Sequence, residues 1–294
     1  MKLTGIFSFL LLLLSTHLFA SSDLALVQSS RPSKPEEFDV LNWRKNLRIG
    51  YFGDYSFTTL KKLDDNQYNS DGTKNRMPIS LLNEFNISYN ITPNLALYSK
   101  PEFYVVTGDR NDLDDTYDRN LVTMGDVLMG FQYRAYRGPK ANYSIRVTHG
   151  HPFSKYSRDQ NLKSETDFQN FIIWFPTRDI TMLIWNTYRY YIYDSDVNSR
   201  RYRINNRFIF SYKWTDTWGY QFNSEYVLQH RAPKTGPRQR KWNHFSVYRN
   251  TLSWGVTYKL NNYLTIIPNV EAQDLENVKW ETLQLGVTFL GRIF

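Results

Sequence analysis

Cysteine is absent from the 294-residue sequence. That absence excludes a disulfide framework, a thiolate metal site and a lipid-anchored N-terminal cysteine. Long apolar runs are also missing after the first twenty residues, the mean hydropathy is -0.55, and no stretch of ten residues has a convincing helical period. Membrane-spanning helices are therefore not expected in residues 21–294.

Aromatic residues are abundant, at 17% of the chain with 22 Tyr and 8 Trp. The formal net charge is +8. A positive balance of this size permits contact with nucleic acid, anionic lipid or anionic solutes, and it does not choose among them.

The N-terminus has the pattern of an export signal. Met1-Lys2 begins a short basic region, Ile6–Leu14 is almost unbroken apolar sequence, and Leu18-Phe19-Ala20 precedes two serines. This pattern predicts a signal peptide over residues 1–20. The apolar run is shorter than the roughly 20 residues of a spanning helix, which disfavours a membrane anchor. Export makes nucleic acid an unexpected partner.

Residues 250–273 show alternation of apolar and polar side chains, with a break at Asn261-Asn262. Leu252, Trp254 and Val256 share one parity, and the intervening positions are small or polar. Period-two alternation predicts strands with one apolar face. The Asn261-Asn262 break between two such runs predicts a tight hairpin, because Asn tolerates the left-handed conformation.

The same alternation recurs along the chain and predicts an all-β fold of about twelve strands over residues 44–294, after a flexible leader over 21–43. The predicted strands cover 44–60, 78–91, 95–106, 122–136, 141–150, 167–175, 180–193, 201–214, 218–230, 244–260, 263–271 and 280–293. The segment 169–175 is apolar on both parities, so its facing is ambiguous.

The connections between these strands alternate in length. The long links are 61–77, 107–121, 151–166, 194–200, 231–243 and 272–279, and the short turns are 92–94, 137–140, 176–179, 215–217 and 261–262. Long loops at one end and tight turns at the other are typical of a transmembrane antiparallel up-and-down β-barrel. A soluble sandwich with Greek-key crossings does not alternate so regularly.

Aromatic residues gather beside the short turns, as expected of rings at a membrane interface. They are Tyr89, Tyr98, Tyr133, Trp174, Tyr212, Trp214, Trp218, Tyr258 and Tyr263.

The last strand carries a family resemblance. Leu283, Leu285, Val287 and Phe289 alternate with polar or small residues, and the sequence ends at Phe294. An alternating strand with a terminal Phe resembles the C-terminal signal of bacterial outer-membrane β-barrel (porin-like) proteins. The resemblance implies an outer-membrane location, contact with outer-membrane lipid and lipopolysaccharide, and recognition by the barrel-insertion machinery.

Placing the more apolar parity towards lipid leaves a charged lumen. The basic residues expected to face inward are Arg48, Lys100, Arg134, Arg146, Arg189, Arg201, Arg203, Arg207, Lys213, Arg249 and Lys259. The acidic residues expected there are Asp54, Glu84, Glu102, Asp126, Glu225 and Glu271. The candidate anion-binding residues are Arg134, Arg189, Arg203, Arg207, Arg249 and Glu225. Arg48 lies on a more distant strand and is expected to affect anion selectivity less than Arg203 and Arg207 do.

These positions predict a row Arg207–Glu225–Arg249 with a net positive charge. Rings of positive charge favour anions, so the leading hypothesis is an outer-membrane channel for passive diffusion of small solutes, with a preference for anions and no cofactor. A second hypothesis is a non-conducting structural or surface-interaction barrel, since a twelve-stranded barrel lies between those filled by side chains and those with wide channels.

A third hypothesis is an outer-membrane hydrolase. His149 and His151 lie near Ser154 and Asp159, and a nucleophile with a base is one way to assemble such a site. The acidic loop 108–115 could bind calcium, although its spacing is not that of an EF-hand. The basic loop 230–241 could bind lipopolysaccharide phosphates or attract anions to the mouth of the barrel. No catalytic or metal residues are assigned.

Overall fold

A computed structural model describes residues 42–59, 79–107, 120–154, 157–158, 161–194, 200–231, 245–273, 275 and 283–292. Nothing of the predicted signal peptide, and only residues 42 and 43 of the predicted leader, falls within these ranges. The one-turn helix α1 (Trp43–Asn46) precedes the first strand. Across the described residues, no helix is both long and apolar enough to cross a membrane.

Twelve antiparallel strands form the described part of the chain. The third strand is interrupted at Pro101 and the fourth at residues 125–126. The strands are β1 (Leu47–Thr59), β2 (Ile79–Asn90), β3 (Leu95–Lys100 and Glu102–Thr107), β4 (Asn120–Met124 and Val127–Arg137), β5 (Ala141–His151), β6 (Leu162–Trp174), β7 (Ile180–Tyr193), β8 (Arg200–Lys213), β9 (Trp218–Arg231), β10 (Phe245–Lys259), β11 (Leu264–Gln273) and β12 (Leu283–Arg292).

The sheet closes on itself through β1. Gly50 pairs with Asn86 of β2 on one side and with Arg292 of β12 on the other. Each of the other strands pairs with its sequence neighbours. Closure satisfies the backbone hydrogen bonds without free edges, which is what a sheet needs in order to span a bilayer. The predicted up-and-down β-barrel of about twelve strands is therefore confirmed.

The barrel is apolar outside and polar inside. Leu97, Phe131, Val147 and Phe168 are directly paired from strand to strand and are 44–54% exposed. Directly paired residues share a face of the sheet. The adjacent residues Gln132, Arg146 and Gln169 are likewise paired from strand to strand, but they lie on the opposite face. Arg146 and Gln169 are buried. A water-soluble protein has the reverse arrangement, so the outer surface suits lipid.

The short turns share one device. Four of them begin with Thr92, Thr177, Thr215 or Asn261, and the side-chain oxygen of that residue accepts hydrogen bonds from the amides two and three positions later. Such bonds mimic a backbone turn and fix the direction of the returning strand. The turns therefore set the register of the hairpins on this end of the barrel.

The Asn261 turn corrects one prediction. A hairpin is present, but among the described non-glycine residues only Asn161 has a positive φ. The turn does not use the left-handed conformation, because Asn261 Oδ1 instead accepts hydrogen bonds from the amides of Tyr263 and Leu264, at 2.7 and 2.9 Å. The side chain, not an unusual backbone, makes this turn.

Aromatic side chains surround the turn end on the outside, as the sequence predicts. Tyr133, Trp174, Trp218 and Tyr263 are all more than two-fifths exposed, and the ring centroids of Trp218 and Tyr258 are 4.6 Å apart. Tyr98 is an exception to the prediction. It is 4% exposed and points inward, where its hydroxyl donates a hydrogen bond to Asn86.

The inner face also carries an unexpected group of apolar side chains, which we call the apolar layer. Its members pack against one another and are at most 7% exposed. They are Phe52, Phe171, Ile173, Leu183, Ile209, Ile267 and Leu290. The sequence predicts that the polar parity lines the lumen, and it does not predict these apolar side chains on the inner face. The ambiguous segment 169–175 supplies two of them.

Candidate functional site: the charged interior of the barrel

The centre of the lumen holds the predicted group of Arg207, Glu225 and Arg249. Arg207 is directly paired with Glu225 across β8 and β9, as the sequence predicts. Arg249 pairs directly with Val227, one residue pair from the predicted register, because a bulge interrupts the pairing of β9 with β10. Its guanidinium still lies 3.3 Å from the Glu225 carboxylate.

Two further carboxylates belong to this group. Arg249 Nη2 is 2.9 Å from Glu271 Oε1, and Asp54 lines a small cavity together with Arg207 and Glu271. Two guanidinium groups thus face three carboxylates. The predicted row itself keeps two arginines and one glutamate, but strands β1 and β11 add two acids beside it that the pairwise comparison of β8, β9 and β10 left out.

Arg203 lies four residues before Arg207 on the same strand and the same face, with Asn205 between them. It is directly opposite Arg189 of β7, and its guanidinium carbon is 5.2 Å from the centroid of the Tyr248 ring. A cation above an aromatic face is stabilised by the electron-rich ring. This arginine therefore faces a cationic neighbour and an aromatic ring.

Arg189 is held by two acids. Its Nε and Nη2 atoms lie 2.6 and 2.7 Å from the two oxygens of Asp167, and Nη1 lies 3.1 Å from Glu165. Asp167 is fully buried. A two-pronged guanidinium–carboxylate pair is strong and directional, so Arg189 is a paired structural group of the lumen.

A second paired group lies where β2 meets β3. Lys100 Nζ is 2.5 Å from Glu102 and 3.3 Å from Glu84. Lys100 and Glu102 share the inner face, as residues two apart on a strand do, although Pro101 interrupts β3 between them. This group carries more acid than base, like the one around Glu225.

Arg146 occupies the inner face between these groups and the turn end. It is 2% exposed, donates hydrogen bonds to the side-chain amide oxygens of Gln132 and Gln169, and lies 3.7 Å above the Tyr98 ring and 4.6 Å from the Phe171 ring. Amide oxygens and ring faces both stabilise a desolvated guanidinium.

Positive charge collects at the turn end. Arg48, Arg134 and Arg137 line one cavity of about 70 Å³, and their guanidinium groups lie within electrostatic range of one another. Its lining, as far as the chain is described, contains no carboxylate. Of the predicted anion-binding residues, Arg134 is the one that the structure brings to this cavity.

A β-bulge places two of these arginines side by side. Arg134 pairs with Ser144 and Arg137 pairs with Asn142, with a register shift between them. Residues three apart on a regular strand would face opposite sides. The extra residue in the bulge turns Arg137 to the inner face. The sequence assigns residue 137 to a turn, so this member of the cavity was not predicted.

One exposed ion pair lies at the same end. Lys213 donates a hydrogen bond to Asp216 in the turn that follows β8, and this bond lowers the pKa of the Asp216 carboxyl. Because Asp216 is exposed, the pair is a surface feature of the turn and is worth little to stability.

The hydrolase hypothesis depends on the histidines and Ser154. His149 and His151 pack edge to face on the outer surface, with ring centroids 5.1 Å apart, and His149 contacts Thr166. Ser154 is buried and accepts a hydrogen bond from the Ser157 amide. Asp159 and the loop 108–115 lie outside the described residues. Over the part of the chain that the structure covers, no three acidic or histidine side chains are placed to hold a metal.

Comparison with proteins of known structure identifies the type of fold. No protein-family model matches the chain, and no curated protein matches it in sequence. An outer membrane channel from Pseudomonas putida F1 is 14% identical, with a TM-score of 0.54 over 89% of this chain and 99% of that chain. The chain has the fold of a porin-like outer-membrane β-barrel. The NanC porin is 9% identical, with a TM-score of 0.46 over 84% of this chain and 98% of that chain.

Two acids of this porin-like barrel were missed by the sequence analysis. Glu165 and Asp167 belong to β6, which begins at Leu162. The sequence assigns Glu165 to the loop 151–166, and it assigns Asp167 to the strand 167–175 without placing it in the lumen. The alternation of Glu165, Asp167 and Gln169 with their neighbours is a weak signal, because the inner face of β6 is polar at one end and apolar at the other. An acidic partner for Arg189 was the signal that could have located them.

Proposed function

We propose that the chain is an exported outer-membrane channel for the passive diffusion of small solutes, with a preference for anions. The observation that carries this proposal is the cavity of Arg48, Arg134 and Arg137, which opens the inner face at the turn end with basic groups and no described carboxylate in its lining. Short turns lie on the periplasmic side of bacterial barrels, so this end is the periplasmic mouth.

The anion preference arises from the distribution of charge along the barrel. The central groups around Glu225, Asp167 and Glu84 each contain more carboxylates than cations, so the anion preference does not come from them. The uncompensated cations lie at the mouth, where a confined, partly desolvated space strengthens their field. An anion entering or leaving there is attracted, and a cation is repelled.

The proposed partners follow from this setting. Outer-membrane lipid and lipopolysaccharide surround the apolar outer face, and small anionic solutes pass through the lumen. The barrel-insertion machinery recognises the C-terminal strand that ends at Phe294, a residue outside the described ranges. The basic loop 230–241, of which only residues 230 and 231 are described, contacts lipopolysaccharide phosphates or attracts anions from outside.

A solute-uptake assay tests the proposal. Purified protein is refolded into lipid vesicles, and swelling is followed in isotonic solutions of an anionic, a neutral and a cationic solute of similar size. The anionic solute is expected to enter fastest, with a difference that shrinks as salt rises, because salt screens the field of the arginines. Equal entry of all three solutes would remove the anion preference and leave an unselective pore.

The second candidate is a non-conducting structural barrel, and the apolar layer favours it. Seven apolar side chains pack together inside the lumen, and a layer of this kind can exclude water and ions. The two candidates differ in whether vesicles containing the protein swell at all.

Opening the apolar layer is expected to increase conductance. Leu183 is completely buried within the layer, so Leu183→Ser removes apolar volume from the constriction and adds a hydroxyl that holds water. We expect a several-fold rise in single-channel conductance and a loss of stability of about 2–5 kcal/mol, as for other buried leucines. Planar-bilayer recording and urea unfolding measure the two effects.

Leu128→Ser is the matched control for this prediction. Leu128 is also buried on the inner face, at 2% exposed, but it is not part of the apolar layer. It is expected to lose similar stability without the gain in conductance. A gain of equal size in both variants would show that general loosening of the barrel, and not the layer, controls passage.

A further inference from the structure

The cavity at the turn end has the composition of a binding site for a small oxyanion. Its charged groups are the three guanidinium groups of Arg48, Arg134 and Arg137. Its other polar side chains carry amides and hydroxyls that can donate hydrogen bonds. These are Ser88, Asn90, Asn94, Gln132, Asn142 and Ser144. A site rich in donors and without a described carboxylate selects a negatively charged ligand.

The size of the cavity limits the ligand. A volume of about 70 Å³ accommodates on the order of five water-sized probes. A phosphate or sulfate ion, or a terminal carboxylate of a larger solute, has three to five non-hydrogen atoms of comparable bulk.

The walls of the cavity define its access. Phe171 and Ile173, two members of the apolar layer, form its inner side, while Pro93 and Asn94 belong to an exposed turn at the mouth. The cavity therefore faces the turn end of the barrel and is closed by apolar side chains towards the centre. A lipid headgroup on the outer surface cannot reach side chains on this inner face.

The arginines are held for this role by the backbone. The bulge between Arg134 and Tyr136 brings Arg134 and Arg137 to the same face, and Arg134 Nη1 donates a hydrogen bond of 3.1 Å to the Pro93 carbonyl. One edge of the Arg134 guanidinium is thus fixed on the turn. Guanidinium groups recognise the oxygens of carboxylate and phosphate through paired, directional hydrogen bonds, which chloride cannot make.

We propose that Arg48, Arg134 and Arg137 form a binding site for a small oxyanion, a phosphate, a sulfate or the carboxylate of a larger solute, on the periplasmic side of the apolar layer. Its place in transport rests on the proposed function, because the site would hold an anion as it enters or leaves the channel. Binding itself does not require the channel to conduct.

Isothermal titration of inorganic phosphate into the detergent-solubilised full barrel, at low ionic strength, tests the site. The wild type is expected to bind phosphate, with chloride competing poorly. Arg134→Gln combined with Arg137→Gln is expected to weaken phosphate binding by roughly tenfold or more, because each charged hydrogen bond lost is worth about that factor. Arg178→Gln, in the exposed turn 175–179 at the same end but outside the cavity, is expected to bind like the wild type.

Electrophoresis of unboiled samples checks that each variant is folded, because a closed barrel migrates differently from the unfolded chain. If the double variant is unfolded, Arg137→Gln alone takes its place. Equal phosphate affinity in the wild type and a folded cavity variant would overturn the site, as would an equal loss in Arg178→Gln.

The titration and the swelling assay together separate the binding site from the proposed function. Phosphate binding that depends on Arg134 and Arg137, in a protein whose vesicles do not swell, would support the site and reject the channel. Swelling with anion preference but without specific phosphate binding would support the channel and reject the site.

Discussion

Asp167→Asn is expected to lower the free energy of unfolding by about 3 kcal/mol. Asp167 is fully buried and binds the Arg189 guanidinium through both oxygens. Removing one partner of a buried pair leaves an uncompensated charge, which costs about 3–5 kcal/mol. The lower end applies here, because Arg189 is 22% exposed and keeps Glu165 as a second partner. Urea unfolding from lipid vesicles, followed by tryptophan fluorescence, measures the loss.

Lys163→Gln provides the control for this prediction. Lys163 and Asp194 form an ion pair at 3.6 Å in which both side chains are about two-thirds exposed. An exposed pair of this kind contributes about 0–1 kcal/mol. Similar losses in the two variants would mean that the interior around Arg189 is as well hydrated as the surface.

Val147→Arg is expected to destabilise the barrel by about 2–4 kcal/mol, although the side chain is 44% exposed. In a water-soluble protein, a charge at such a position changes stability by no more than about 0.5 kcal/mol. In a bilayer the same exposure means contact with hydrocarbon. Val147 lies six residues beyond Ala141, or about 15 Å along the axis of a barrel with the usual strand rise and tilt. That depth is near the middle of an apolar band about 25 Å tall.

Tyr263→Arg tests the dependence on depth. Tyr263 is 66% exposed and lies at a short turn, among the aromatic residues of the interface. An arginine at that depth costs about 0–1 kcal/mol. If both arginine variants unfold at the same urea concentration as the wild type, the outer surface does not face hydrocarbon.

The topology could be predicted from the sequence because three local signals agree. Alternation identified strands such as β10 and β11, the short turns fixed which strands are neighbours, and the long links fixed the opposite end. Interior pairing was also predictable where no bulge intervenes, as for Arg207 and Glu225 across the turn 215–217. Counting residues outward from a short turn gives the pairing register of the two strands that the turn connects.

The apolar layer could not be predicted, because its members come from two groups of strands, β6–β8 and β11, β12 and β1, that are brought together only by the closed barrel. Ile209 and Ile267 each lie among the polar residues of their strand's alternating pattern. A single apolar residue at such a position does not by itself predict an apolar layer. Only the closed barrel shows that they meet Leu183 and Phe171 at one level. The layer is a property of the tertiary structure.

The charge distribution was only partly predictable for a similar reason. Counting inward-facing residues gave a positive lumen, but it could not assign Asp167 to Arg189 or place Arg137 on the inner face. Arg48 was expected to matter less than Arg203 and Arg207. The structure instead places Arg48 among uncompensated arginines and Arg207 beside Glu225.

The central claim is that the barrel conducts and prefers anions, and the reversal potential of single channels in a planar bilayer with a potassium chloride gradient tests it most directly. We expect discrete openings and a wild-type reversal potential with the sign of anion selectivity. Changing Arg134 and Arg137 to glutamine is expected to shift the reversal potential towards that of a cation-selective channel. A folded wild-type barrel without conductance, or one that selects cations, would contradict the account.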